Sequence, residues 1–311
     1  MDRGARLAHP AAARRHRARR TPSGARLALS PWLFVLPYLV AFVLFRFGPA
    51  VAGFLVSLTN WNLMSGSGRF VGVDNYARLA TDPQFRQSLL QTLYFMALTV
   101  PALVILGLLL AVLVNQRLRG RSVVRTAIFM PYVVMSTVVG VIWLWMLNTD
   151  VGVFNYLLSL LGIHGIPWLS DPNAAMPAIA LTTIWWTVGF NMIIFLAGLQ
   201  DIPAELEEAA RVDGAGAFTT FRAITLPLLR PVIFVVVMLT LINTFEVFDQ
   251  IYVMTGGGPG LSTLTIIQFL YYEAFQFYHV GYASAVAYVV LAVLVALALI
   301  QRRFLAPGDL A

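Results

Sequence analysis

Residues 200–231 read QDIPAELEEAARVDGAGAFTTFRAITLPLLRP, a polar-containing stretch set between strongly apolar segments. Two short helices are legible in it. Pro203 suits a helix's first turn, where its missing N–H costs little, and Glu205, Glu207 and Glu208 put negative charge near that helix's positive end. Gly214 supplies the stop, because glycine takes a left-handed cap without penalty. A second short helix fits residues 215–224 and ends at Pro227. Leu206, Ala209 and Ala210 share one side of the first helix, and Glu207 faces Arg211 four residues on, worth a few tenths of a kcal/mol, roughly. Two readings fit: a helix–Gly–helix that docks into a partner, or an amphipathic connector between two membrane helices.

Working outward, the flanking segments decide between soluble and membrane classes. Of 311 residues, 59% are hydrophobic and 11% charged, against about a quarter charged in soluble domains. A span needs about 20 apolar residues. The sequence offers six such segments, at about 32–58, 89–114, 126–147, 176–199, 232–254 and 282–300, with the loop 200–231 between the fourth and fifth. Residues 264–277 are apolar but number only 14, too short to cross, and read as interfacial or re-entrant on the outer face. Pro49 is expected to kink the first span, and TGGGPG at 255–260 to form a sharp turn. The fold class is thus all-α: a polytopic membrane protein of six transmembrane helices with a helix–Gly–helix loop on the cytoplasmic side. Residues 1–31 form a disordered basic cytoplasmic tail, residues 32–304 the transmembrane domain, and residues 305–311 a short tail.

The basic residues orient it. All 21 are Arg. On the six-span topology seventeen fall inside and three (Arg69, Arg78, Arg86) outside, with Arg46 within a span. That bias puts both termini in the cytoplasm. These Arg flank apolar segments, so the net charge of +7 is topogenic and argues for lipid headgroups rather than nucleic acid. The chain has no Lys, which a phosphate-cradling P-loop requires, and so carries no such ATP site. It has no Cys and therefore no thiol chemistry. His9, His16, His164 and His279 form no ligand pair at metal spacing, and no cofactor is implied.

Ionisable and amide side chains within hydrocarbon face protein or water. The fifth segment holds Asn243, Glu246, Asp249 and Gln250; spacings of three, four and seven set Asn243, Glu246 and Gln250 along one helix face. Such a stripe suits a hydroxyl-rich solute, and equally suits hydrogen bonds between helices. Asn191 in the fourth segment is a further candidate, with Trp185, Trp186 and Phe190 as an apolar wall for sugar rings.

A resemblance adds to this reading. Glu208-Ala209-Ala210, three residues, Gly214, nine residues, Ile224, one residue, Leu226-Pro227 resembles the EAA loop of binding-protein-dependent ABC transporter permeases. The likeness extends over about residues 31–304. FVGVDNYARLATDPQF (70–85) is similar to that family's outer loop, and TFEVFDQIYVMTGGGP (244–259) to the corresponding segment of first-type sugar permease subunits. The resemblance implies a carbohydrate importer's permease working with a second, homologous permease subunit, cytoplasmic ATPase subunits and an extracytoplasmic solute-binding protein that delivers a sugar-like solute. Glu208, Ala209 and Ala210 then match the docking helix, Asp213 and Gly214 its turn, and Ile224, Leu226 and Pro227 the return. Two other classes compete with this one. An ion-coupled secondary transporter could use Glu246 and Asp249, though no duplicated halves are visible. A membrane-embedded enzyme lacks a catalytic constellation.

Overall fold

The computed structural model describes residues 29–116 and 119–305. Arg117, residues 306–311 and all but the last three residues of the basic tail lie outside them. The described residues are helical, with two isolated β-bridges, Thr59 to Phe70 and Asn62 to Ser67, in the first loop. Five helices are long and apolar enough to span a membrane, and a bent helix pair brings the count to six.

The chain divides by its contacts after Ala52. Leu29–Phe42 (α1) runs through a π-turn at Val43–Phe47 into Gly48–Ser57 (α2). Pro49 has no N–H to give, and the helix meets that by widening, with Gly48 N donating to Val43 O, rather than by kinking sharply.

From Gly53 onward the spans form one packed body. Asp74–Thr81 (α3) precedes Pro83–Asn115 (α4), the longest helix. Its start lies six residues before the expected 89, because Asp82 caps it: Oδ1 accepts from Gln84 N (2.8 Å) and Phe85 N (3.2 Å), and Pro83 fills the first position, where no N–H is needed. Asp82 Oδ2 also accepts from Tyr282 Oη at 2.6 Å, and the Arg78 guanidinium lies 4.1 Å from the centre of the Tyr282 ring.

The third span is not the single helix expected over 126–147. Arg121–Val133 (α5) and Ser136–Met146 (α6) meet at 96°. Pro131 removes one donor and disfavours continuation, and Val134 is extended (ψ 139°). The carbonyl freed at Val134 accepts from Trp186 Nε1 at 3.0 Å. Val153–Leu160 (α7) follows, its loop pinned by Asn155, which bonds Thr149 O, Ile166 O and N, and Trp168 Nε1. Ala175–Gln200 (α8) is the fourth span, as expected.

α8 is the central helix. It packs most extensively on α4, then on α5, and close approach is possible only because the contact residues are small. A Cβ on Gly107 of α4 would sit 2.9 Å from Asn191 Cβ, and one on Gly189 only 2.3 Å from Ile128 O.

The loop 200–231 forms Ala204–Val212 (α9), then Ala217–Thr220 (α10), a π-turn at Phe221–Thr225 and Leu226–Leu228 (α11). The second limb therefore starts two residues later than expected and does not stop at Pro227. As at Pro49, a π-turn just ahead of the proline (Leu226 N to Phe221 O) absorbs the missing donor. Arg230–Phe245 (α12) and Asp249–Met254 (α13) make the fifth span, broken at 246–248. Residues 255–260 turn sharply, with Gly256, Gly257 and Gly260 at positive φ. Ile266–Tyr271 (α14) extends as a π-turn to Gln276; Ile266, Gln268, Phe269 and Glu273 are buried, so this short segment packs on α4 and the last span rather than crossing. Val280–Leu305 (α15) closes the chain.

Asp82→Ala removes a helix cap and the acceptor for Tyr282 together. We expect a loss of about 1–2 kcal/mol, read as a lower unfolding temperature of the detergent-solubilised protein, with Asp82→Asn retaining most of the stability.

Candidate functional site

Two places concentrate polar side chains: the loop 200–231, and a cavity between the broken spans.

In the loop, α9 ends in a Schellman cap. Ala215 N donates to Ala210 O (2.9 Å), Gly214 N to Arg211 O (3.1 Å), and Gly214 takes φ +83°. A Cβ on Gly214 meets no atom within 4 Å, so the demand for glycine there is conformational and not steric. No residue of α9 is buried. Glu208, Ala209, Asp213 and Pro227 are exposed, while Ala210, Ile224 and Leu226 are half-buried. The Glu207–Arg211 pair stands at 3.8 Å with Arg211 68% exposed, a distance and setting worth little. Thr225 Oγ1 donates to Glu207 Oε1 (3.4 Å), joining the two limbs. Val212 and Phe218 flank the turn and are 88% and 75% exposed. Sequence reasoning passed over them; the signal was present, two large apolar residues either side of a glycine in a charged loop. Both limbs, with the ends of α4 and α8, border a hollow of about 910 Å³.

The cavity measures about 320 Å³. All five candidates from the sequence line it: Asn191, Asn243, Glu246, Asp249 and Gln250. Asn243, Glu246 and Gln250 do not sit on one continuous helix face, as their spacing suggested. α12 stops at Phe245, and Asp249 opens a new helix. Both span breaks face this cavity, since Tyr132 and Ser136 flank the first, and Glu246, Val247 and Phe248 form the second. Non-helical backbone at membrane depth is tolerated where it is buried in protein or lines a cavity.

The polar groups differ in their engagement. Ser136 Oγ donates to Asp249 Oδ2, tying the first residues of α6 and α13, and a carboxylate suits that helix start. Gln250 is 2% exposed; its Oε1 lies 2.5 Å from Thr183 Oγ1, and its Nε2 has no partner. The Thr183 hydroxyl also reaches Ile179 O at 3.0 Å. Having a single proton, it cannot serve both acceptors, and turning the amide over would leave the oxygen unpartnered instead. Asn191 Nδ2 donates to Thr240 Oγ1 at 3.0 Å, a tie between α8 and α12. Asn243 and Glu246 are exposed. The aromatic wall is rearranged from the one expected. Trp186 lines the cavity with Tyr132 and Phe248; Phe190 stacks behind Tyr132 at 4.8 Å, and Trp185 packs on Trp143 at 5.5 Å.

Residues 79–308 match the family described as "Binding-protein-dependent transport system inner membrane component". The chain belongs to this family. It is a multi-pass membrane protein, the permease component of an ABC transporter. A probable ABC transporter permease protein of Bacillus subtilis is 36% identical over 89% of this chain and 96% of its own length. The trehalose/maltose transport system permease protein MalF of Thermococcus litoralis is 40% identical, over 80% and 83% respectively. Among solved structures, a bacterial ABC transporter involved in the import of the acidic polysaccharide alginate superposes with a TM-score of 0.77 at 25% identity, covering 90% of this chain and 97% of that one. Membership of a binding-protein-dependent family disfavours the ion-coupled alternative.

Thr183→Val would strand the buried Gln250 amide at both ends. The expected cost is about 1–3 kcal/mol, measurable as reduced thermal stability of the purified protein, whereas Thr183→Ser should restore it.

Proposed function

We propose that this permease moves a sugar-like, hydroxyl-rich solute inward through the cavity between its two broken spans, and that the loop 200–231 receives the ATPase that drives the movement. The observation that carries the reading is the convergence of both breaks, two carboxylates and three amides on one cavity. Amides and carboxylates together donate to and accept from vicinal hydroxyls, and Tyr132, Trp186 and Phe248 offer flat apolar faces for the C–H faces of a sugar ring. The trehalose/maltose relative supports the solute class. A second, homologous permease subunit would complete the wall of the cavity. An extracytoplasmic binding protein would deliver solute to the outer loops. Both termini and the loop would face the cytoplasm, in line with the Arg distribution.

On this reading Glu208, Ala209 and Ala210 enter a groove of the ATPase together with the exposed Val212 and Phe218. Asp213 and Gly214 set the angle between the limbs, and Ile224, Leu226 and Pro227 return the chain to α12. ATP favours the closed ATPase pair, and the docked helix passes that preference to the spans as a shift between inward-open and outward-open states.

Two experiments test this. Gly214→Val forces a left-handed backbone on a β-branched residue, at a cost of roughly 1–2 kcal/mol. The permease should still insert, since the turn has no packed neighbours, but it should lose ATPase association or hydrolyse ATP without uptake; full coupling in this variant would remove the docking role. Asn243→Ala and Glu246→Ala, each in an assembled complex, should raise the apparent KM or lower the rate of solute uptake by several-fold. Unchanged kinetics in both would return these residues to packing roles.

A further inference from the structure

The sign of the charge in the cavity bears on which solutes it passes. This inference rests on the reading of the cavity as the solute path. Its lining holds two carboxyl side chains, Glu246 and Asp249, and no Arg. Neither takes part in an ion pair among the described residues, where the pairs are Glu207–Arg211 and Glu273–His279. Asp249 is held by the Ser136 hydroxyl, while Glu246 is exposed at the broken end of α12. A second, independent feature points to a ligand: the buried Gln250 amide, with one end unpartnered on the cavity lining.

An ionised carboxylate only accepts hydrogen bonds. A neutral sugar supplies hydroxyl donors to it, and an amino sugar supplies a stronger, charge-assisted donor. The carboxylate of a uronate, like a sulfonate or phosphate group, supplies only acceptors there and meets like charge. Selectivity by an unfavourable contact is as effective as selectivity by a favourable one. We propose that this permease discriminates against anionic solutes, and that its substrate is a neutral or cationic sugar. The fold it shares with a transporter of acidic polysaccharide does not decide the matter, because the discrimination resides in the cavity side chains and not in the helix arrangement.

The test uses the complete transporter in proteoliposomes, with its binding protein outside and ATP on the ATPase side. The probes are trehalose and maltotriose (neutral), glucosamine (cationic), and glycerol 3-phosphate and digalacturonate (anionic). Each rate is divided by the occupancy of the binding protein, measured separately, so that only the permease's own selectivity is compared. The wild type should favour a neutral or cationic probe over the anionic ones by at least tenfold in kcat/KM. Glu246→Gln should narrow that ratio, and Glu246→Asp should keep it. Uptake of an anionic probe as fast as the neutral ones, uptake of no neutral or cationic probe, or a ratio unmoved by Glu246→Gln overturns the proposal. If Glu246→Gln changes the KM of the neutral sugar while the ratio stays fixed, the path survives and the charge filter does not. If Asn243→Ala and Glu246→Gln change no transport parameter at all, the path itself is wrong.

Discussion

A helix that breaks inside a membrane must find partners for the backbone groups it frees, and this requirement shapes the molecule. Two of the spans break, at Val134–Met135 and at 246–248. Lipid cannot satisfy the exposed N–H and C=O groups. The structure does so by pairing the breaks. Trp186 covers Val134 O and Thr265 Oγ1 donates to Val247 O; the Ser136–Asp249 side-chain bond joins the two helix starts, and the two short helices beyond the breaks lie against each other, with Gly140 close enough to Val253 that an added Cβ would sit at 3.3 Å. The polar cavity is what this pairing encloses.

The loop 200–231 is strung between the two helices that flank that cavity. α8 carries Thr183 and Asn191 past it and runs without interruption to Gln200. α12 leaves the loop at Arg230 and ends beside Asn243 and Glu246. At a rise of about 1.5 Å per residue, Asn191 stands about 14 Å from the loop along one helix, and Asn243 about 20 Å along the other. Thr240 and Asn191 tie the two shafts together midway. On the proposed reading, a tilt imposed on the loop would reach the cavity through these mutually bonded helices. The buried core around Met192, Phe195, Leu196, Leu229 and Val236 supports the shafts near the loop, each large apolar side chain contributing about 1.5–3 kcal/mol on burial.

What could be read from the sequence was local or compositional. The left-handed Gly214, the acidic start of α9 and the spans themselves all depend on a few neighbouring residues or on length. The breaks were not legible. Pro131 hinted at one, but Pro49, Pro101 and Pro227 sit in helices that continue, so proline alone does not mark a break. At 246–248 the sequence is Glu-Val-Phe, with no glycine or proline, and the interruption is fixed by what Asp249 and Gln250 bond on other helices. The candidate cavity residues were found by their cost in hydrocarbon, which needs no tertiary knowledge. Tyr132 and Phe248 were missed because aromatic residues carry no such cost, and only the fold brings them to the lining.

On the proposed mechanism, the cavity between the breaks opens to opposite sides as nucleotide is bound and released. The absence of Cys from the sequence permits a direct measurement. Asn243→Cys, in the assembled transporter, would be labelled with a membrane-impermeant maleimide added from the binding-protein side. The account predicts weak labelling without nucleotide, strong labelling in the vanadate-trapped state, and protection by the transported solute. Equal labelling in both states, unaffected by solute, would contradict it.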